Sequence, residues 1–372
     1  MVDQSPETLK TTPLKALHLA RGGKMVGFAG YRMPVNYPLG VLKEHLHTRT
    51  AAGVFDVSHM GQATLAGEDV IAAMESLVPG DLASLTPGQI RYSVLTNDDG
   101  GIIDDLMITK VSDGVLYLVV NAACKDRDFA HIGARLAGRA VLTRHEDAAL
   151  IALQGPKAAA VLARFIPAAE SMPFMTSATD KFGDVPVRLS RSGYTGEDGY
   201  EISVPNAQVV AVTEKLLSAP EVELIGLGAR DSLRLEAGLC LYGSDIDTVT
   251  TPIEGALAWV IGKRRREEGG FPGAAKILGH LKDGAPRRRV GVKPLSRAPA
   301  RAHTEIQNAD GKKIGEITSG GFGPSYNGPV AMGYVETAYA KPGTPLQLIV
   351  RGQSQPAEVC TLPFVPHRYF KA

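Results

Sequence analysis

Two carboxylates, Asp104 and Asp105, stand side by side in the run IIDDLM, framed by Ile103 and Leu106. In an extended strand adjacent side chains face opposite ways. One acid can therefore enter a given cleft while the other is solvated or capping. Two acids inside an apolar strand are costly to bury without partners, so the pair reads as a functional site or as an edge strand with both acids wet. A third carboxylate, Glu201, lies between Tyr200 and Ile202 and points to the opposite sheet face from them. Arg230 stands where a helix begins, with Leu233, Ala237 and Leu241 following near helical spacing. A cation is disfavoured at the positive end of a helix, so Arg230 answers a carboxylate or a ligand. A structural ion pair with Asp231 or a distant glutamate is the alternative. Acids and a cation of this kind offer proton transfer and charge stabilisation.

The elements that must position these residues follow from periodicity. Val185, Val187 and Leu189 alternate with polar residues, as do Tyr200, Ile202 and Val204, which predicts two half-buried strands. Gly193, Gly196 and Gly199 mark a tight connection between them. Ile90–Leu95 and the stretch from Ile102 are strands joined by the turn signal Asn97–Gly101, and Leu116–Asn121 closes that sheet. The pattern predicts helices over Leu14–Ala20, Val41–Thr50, Glu68–Leu77, Cys124–Ala137 and Lys157–Phe165, and strands over Arg139–Arg144 and Ala148–Gln154. Lys24–Pro38 reads as an irregular extended segment with a strand in it. Ala52 and Gly53 read as the end of the second helix, and Val54–Met60 as a strand continuing through Gln62–Leu65. Within it Asp56 and His59 suggest an acid–base pair or a structural hydrogen bond. His45 and His47 are poorly aligned for a metal. Strands and helices recurring with hairpins predict α+β layers rather than a doubly wound sheet. From Arg289 onward, short β-rich segments separated by Gly, Pro and Asn predict a small all-β barrel.

At 372 residues the chain is long enough for two or three domains. A net charge of +1 supplies no overall field toward nucleic acid or membrane, and no apolar run reaches transmembrane length. The start, MVDQSPETLKTTPL, lacks the pattern of a signal or transit peptide. Cys124, Cys240 and Cys360 are far apart and form no C-x-x-C, so a disulfide framework or zinc site is not expected. The chain has no dinucleotide or Walker loop, no H-E-x-x-H and no G-x-S-x-G. Two basic runs, Lys263–Arg266 and Arg287–Arg289, read as solvated surface or as a docking patch for an acidic partner.

The ordered combination of GGKMVGFAGYRMPV, GVFDVSHM, TNDDGGIIDDL, ALQGP, RSGYTGEDGYEISVP, ARDSLRLEAGLCLYGSDID, TTPIEGALAWVIGKRR, FPGA, IGEITSGGFGPS, AMGYV and FVPHRY resembles the glycine cleavage T-protein family over nearly the whole chain. The resemblance implies an α+β, three-domain cloverleaf around a central folate funnel. Residues 1–55 and 147–240 would form a discontinuous first domain, 56–146 and 241–283 a second, and 288–372 the C-terminal barrel. It implies an aminomethyltransferase that moves the one-carbon unit of aminomethyl-lipoyl H-protein to tetrahydrofolate, releasing ammonia and forming methylenetetrahydrofolate.

By the same resemblance Asp105 is the catalytic carboxylate, and Asp104 is not. Glu201 accepts the paired N–H donors of the pterin edge. Arg230 contacts the ligand and suits its anionic end. Tyr194, Tyr369, Asn121 and Met60 line the folate or substrate site, and Tyr92 is a weaker candidate. The expected partner is the lipoylated H-protein, with no nucleic acid, membrane or metal. A monomer is expected, in the cytoplasm of a bacterium or the mitochondrial matrix of a eukaryote. Two alternatives share the folate site. A sarcosine- or dimethylglycine-oxidase type demethylase would carry a flavin domain, and no flavin loop is found. A folate-binding protein of the iron–sulfur repair type would carry a cysteine motif absent here.

Overall fold

The computed structural model describes residues 8–371; the first seven residues of the polar N-terminal stretch lie outside it. Two sheets and a barrel carry the chain. The first sheet orders its strands Thr176–Phe182, Val185–Arg191, Gly199–Pro205, Ala148–Gln154, Ala52–Asp56 and Val222–Leu224. Its pairs are antiparallel except the last, which is parallel. One face buries Ile151, Leu153, Leu189, Tyr200 and Ile202 against the short helices, as the alternation requires. The second sheet is antiparallel, in the order Ile90–Thr96, Ile102–Ser112, Val115–Val120, Gly61–Ala66, Val141–Arg144. The last part of the chain closes into a six-stranded antiparallel barrel, Arg287–Pro294 to Gln353–Cys360. This is the mixed α+β architecture with a C-terminal barrel that the residue pattern predicts.

The other faces of the two sheets meet. Phe55, Leu150 and Ala152 of the first pack with Tyr117 and Val119 of the second, and with Ile225, Ala229 and Leu233 around the Leu227–Glu236 helix. That packing sets the inter-sheet space in which the polar candidates must lie.

Four expectations about the elements change. The run from Val54 to Leu65 is two strands in two sheets, Ala52–Asp56 and Gly61–Ala66. Asp56 accepts the Ser58 backbone N–H at 2.9 Å, and the Met60 N–H closes on Val57 O at 3.0 Å, which turns the chain from one sheet to the other. Gly53 therefore ends no helix. It sits in a strand because a Cβ there would lie 2.4 Å from Ile225. The Lys24–Pro38 segment is an antiparallel hairpin of Lys24–Phe28 and Tyr31–Asn36, with a register shift between Lys24 and Met25. The strand ending at Val120 does not close its sheet, because Gly61–Ala66 and Val141–Arg144 continue beyond it.

Most of the arginines in the two basic runs bond within the molecule, although part of each run stays at the surface. Arg264 meets Glu75, Asp81 and Glu268 at 2.6–2.8 Å. Arg265 is buried on Glu75 O at 2.7 Å, and Arg266 bonds Ile261 O and Ala258 O at 3.0 Å each. Arg287 pairs with Glu254 at 3.0 Å, and buried Arg289 bonds Gly255 O and Gly238 O. Lys263, Arg266 and Arg288 are the members left exposed.

Candidate active site

Asp105 lies on the second strand of the five-stranded sheet, so neither acid of the pair is on a sheet edge. Asp104 is fully buried and Asp105 half-buried, on opposite faces as the pleat demands. The register aligns Leu106 with Val120, which brings Asn121 beside the acids. Asn121 Nδ2 donates to Asp105 Oδ1 at 2.8 Å and to Asp104 Oδ1 at 3.0 Å, and the Asn121 N–H reaches Asp104 Oδ2 at 3.2 Å. Burial, and then the charge of Asp104, pushes the Asp105 carboxyl up to about 7; hydrogen bonds from Tyr92 and Asn121 pull the other way. A carboxyl titrating near neutrality is suited to holding or taking a proton at working pH.

Tyr92, the weaker candidate, also acts on Asp105. Tyr92 is two residues along its strand from Val94, the residue opposite Asp105, and so shares its face. Its ring stacks on Trp259, at 5.3 Å between centroids and 27° between planes. Trp259 is 63% exposed and was not among the predicted site residues. Residue type could have raised it, since it is the sole tryptophan, but its partner lies far away in the sequence.

Glu201 faces the inter-sheet space from the first sheet. It is buried, yet its one hydrogen bond is a long 3.5 Å contact from Ser192 Oγ. Burial raises its pKa and the Arg230 charge opposes the rise. Arg230 is half-buried on the Leu227–Glu236 helix. Its guanidinium lies 4.8 Å above the Tyr194 ring. Asp231 is not its partner, because Asp231 pairs with Arg234 at 2.8 Å. Tyr194 donates its hydroxyl to Cys240 O. The Gly-rich connection permits this close packing. A Cβ on Gly193 would overlap the Gln154 side chain at 1.8 Å, and Gly196, at φ +77°, would place one 2.9 Å from Ala237. Asp105 and Arg230 both act on Tyr194 through space, which puts Asp105, Tyr194, Arg230 and Glu201 in one electrostatic neighbourhood.

Tyr369 and Met60 stand apart from that group. Tyr369 stacks on Phe174 at 4.3 Å and tilts against His367 at 4.8 Å. The tail that carries it is tied to the Gly-rich connection by Arg368, which reaches Glu197 at 2.6 Å. Met60 packs at the inter-sheet apolar cluster and lines a cavity of about 340 Å³ with Tyr31, Ser58, Gln62, Lys125 and His145. Asp56 and His59 form no pair. Asp56 accepts from Thr12 at 2.6 Å and from His18 at 2.8 Å. His59 is buried between the Phe28 and Tyr31 rings with Nδ1 unpartnered, and burial pulls its pKa down to about 4. His45 and His47 likewise take separate partners, Glu236 and the Ala52 and Glu221 carbonyls.

Two family models together match most of the chain. The GCVT N-terminal domain matches residues 14–265, and the glycine cleavage T-protein C-terminal barrel domain matches residues 287–366. The chain belongs to the glycine cleavage T-protein family. Among its relatives, the mitochondrial aminomethyltransferase of Homo sapiens is 51% identical over 371 residues, covering 98% of this chain and 92% of that protein. That of Gallus gallus is 48% identical over 378 residues, covering 100% and 96%. The crystal structure of glycine cleavage system aminomethyltransferase T from Bartonella henselae superposes with a TM-score of 0.94 at 48% identity, covering 98% of this chain and all of that one. As a family member, the chain carries its acid pair, its Gly-rich connection and its barrel in the order the motifs led one to expect. Among the described residues, no helix is long and apolar enough to cross a membrane.

Proposed function

We propose that this aminomethyltransferase of the glycine cleavage system takes its aminomethyl group from the lipoyl thiol of H-protein and gives the carbon to tetrahydrofolate. The reaction balances without an oxidant or reductant. The aminomethyl carbon loses its bonds to sulfur and nitrogen and gains bonds to two folate nitrogens. Each folate nitrogen releases a proton; one goes to the lipoyl sulfur and one to the departing amine, which leaves as ammonia.

The observation that carries the reading is Glu201, a buried carboxylate with one long hydrogen bond and a cation as neighbour. A buried acceptor in that condition has spare capacity, and it suits a ligand that brings paired N–H donors, as the amino-pyrimidinone edge of a pterin does. Arg230 favours the ionised carboxylate against the effect of burial, and the Arg230–Tyr194 pair supplies a flat, cationic wall. Asp105, titrating near neutrality, accepts from a folate amine and relays its proton as the carbon transfers. Asn121 and Tyr92 hold Asp105 in place. Tyr369 and Met60 belong to the outer lining in this reading.

The test is turnover of the purified chain with aminomethyl-lipoyl H-protein, with and without tetrahydrofolate. Stoichiometric ammonia and methylenetetrahydrofolate are expected only when both substrates are present. Equal ammonia release without folate, or no release with it, would overturn the assignment of substrates.

A further inference from the structure

Behind Asp105 lies a second buried acid cluster that the transfer chemistry does not use. Asp104 and Asp128 are each fully buried. Their carboxyl oxygens and the Cys124 sulfur all lie within 4.8 Å of one another. Arg127, itself half in solvent, approaches Asp128 Oδ1 at 3.4 Å, while Asp128 Oδ2 has no hydrogen-bond partner. Two buried carboxylates this close cannot both carry full charge at modest cost. Asn121 links the cluster to the active site, because one amide group donates to both Asp104 and Asp105.

We propose that Asp104 and Asp128 share one proton, and that Asp104 is a positioning residue that sets the protonation of Asp105 through charge and through Asn121. This rests on the reading of Asp105 as the working carboxylate. Burial raises the proton affinity of both acids; Asp128 raises that of Asp104 further, while Asp104 works to lower that of Asp128. The other titratable or charged groups facing Asp104 are Asp105 on its own strand, Cys124 and Arg127 at the start of the Lys125–Arg135 helix, and Tyr242. Cys124 is held as a thiol, pushed up to about 12 by burial and the two acids. Two carboxylates and a thiol could also hold a divalent cation. Arg127 on Asp128 and Asn121 on Asp104 already occupy part of that donor set, which favours the shared proton.

The shared proton limits the negative charge that Asp105 sees. Replacing either acid with its amide isostere should therefore move Asp105 in opposite directions. In Asp104→Asn the share of the pair's single charge that rested on Asp104 moves to Asp128, beside Arg127. Asp105 then ionises more readily. In Asp128→Asn the whole charge settles on Asp104, next to Asp105, and Asp105 ionises less readily.

The experiment is the pH profile of kcat/KM for wild type, Asp104→Asn and Asp128→Asn, with thermal melts to verify folding. The acid limb is expected to move down in Asp104→Asn and up in Asp128→Asn, each by about half a pH unit or more. Shifts of the same sign, or reduced rates with no shift, would assign the pair a merely structural role and overturn the proposal. A limb displaced by a chelator in the wild type would point to the cation instead. Should either variant fail to fold, infrared difference spectra at neutral pH between Asp105→Asn and Asp105→Asn combined with the pair substitution that folds give an independent readout, since buried Glu201 and Glu44 contribute alike to both and cancel. A protonated-carboxyl band in the difference is expected, and its absence refutes the shared proton. If Asp105→Asn itself retains turnover and the acid limb, it is the reading of Asp105 that fails, while the infrared band still tests the pair.

Discussion

Glu236 ends the helix that carries Arg230, and its loss should be among the most damaging single changes outside the active site. It is fully buried. Its Oε2 accepts from His45 Nε2 and Arg49 Nη2, both at 3.0 Å, and its Oε1 from the Ser325 and Tyr326 backbone N–H groups at 2.7 and 3.0 Å. One carboxylate thus joins the Leu227–Glu236 helix to the Gly40–Thr50 helix and to a barrel hairpin. In Glu236→Ala four donors, one of them cationic, lose their acceptor. Arg49 keeps Glu197 at 2.7 Å, which softens the loss. Breaking a buried pair from one side costs about 3–5 kcal/mol. That is a fall in Tm of roughly 6–20 °C, at about 2–4 °C per kcal/mol. Burial works to raise the Glu236 pKa, but His45, the Tyr326 N–H and Arg49 hold it at about 2. A carboxyl lowered on folding stabilises above its unfolded pKa, and that stability drains away as pH falls from about 4.5 toward 2. Glu236→Ala should therefore lose most at neutral pH and converge on wild type in acid. Thermal melts at neutral pH and near pH 3 measure both effects. A neutral-pH Tm within about 2 °C of wild type would refute the reasoning.

Further outcomes follow from single groups. Glu201→Gln keeps the shape but removes the charge that pairs with Arg230 and with a donor edge. Tetrahydrofolate affinity should fall about 10- to 100-fold, given about 1.5–3 kcal/mol for a hydrogen bond to a charged group; titration by fluorescence would contradict this if Kd changed less than threefold. Buried His59 is neutral in the fold with a pKa of about 4. Because that value lies below its unfolded one, its contribution is complete above about pH 6.5 and is lost as pH falls toward 4. A His59→Phe variant should flatten the stability profile in that window; an unchanged slope in urea titrations would count against it. Tyr92→Phe removes one hydrogen bond that favours ionised Asp105, so the acid limb of kcat/KM should move up, and a downward move would show that Tyr92 does not donate there.

The parts of the site legible in the sequence are those set by local pattern. Strand alternation around Glu201 gave its sheet face, and the turn before IIDD gave the strand of Asp105. Helical spacing after Gly226 located Arg230. What stayed hidden depends on contacts across long separations. Tyr92 joins Asp105 through a strand register that alternation alone does not specify. Trp259 meets Tyr92 from 167 positions away. The arginines of the two basic runs looked solvated because their partners, such as Glu75 for Arg264, lie in distant segments. Asp56 and His59 are close in sequence, yet Asp56 turns to His18, 38 residues away. Gly53 looked like a helix stop when its role is to let Ile225 approach.

The central claim is that Asp105 works on a bound folate rather than merely holding the site together. The most direct measurement compares wild type and Asp105→Asn for turnover with aminomethyl-lipoyl H-protein and tetrahydrofolate, with folate affinity measured on the same samples. The expected result is a fall in kcat of at least about 100-fold, the low end of an acid–base contribution, with tetrahydrofolate still bound within a few-fold of wild type. Retained turnover, or turnover and folate binding lost in equal measure, would contradict the account.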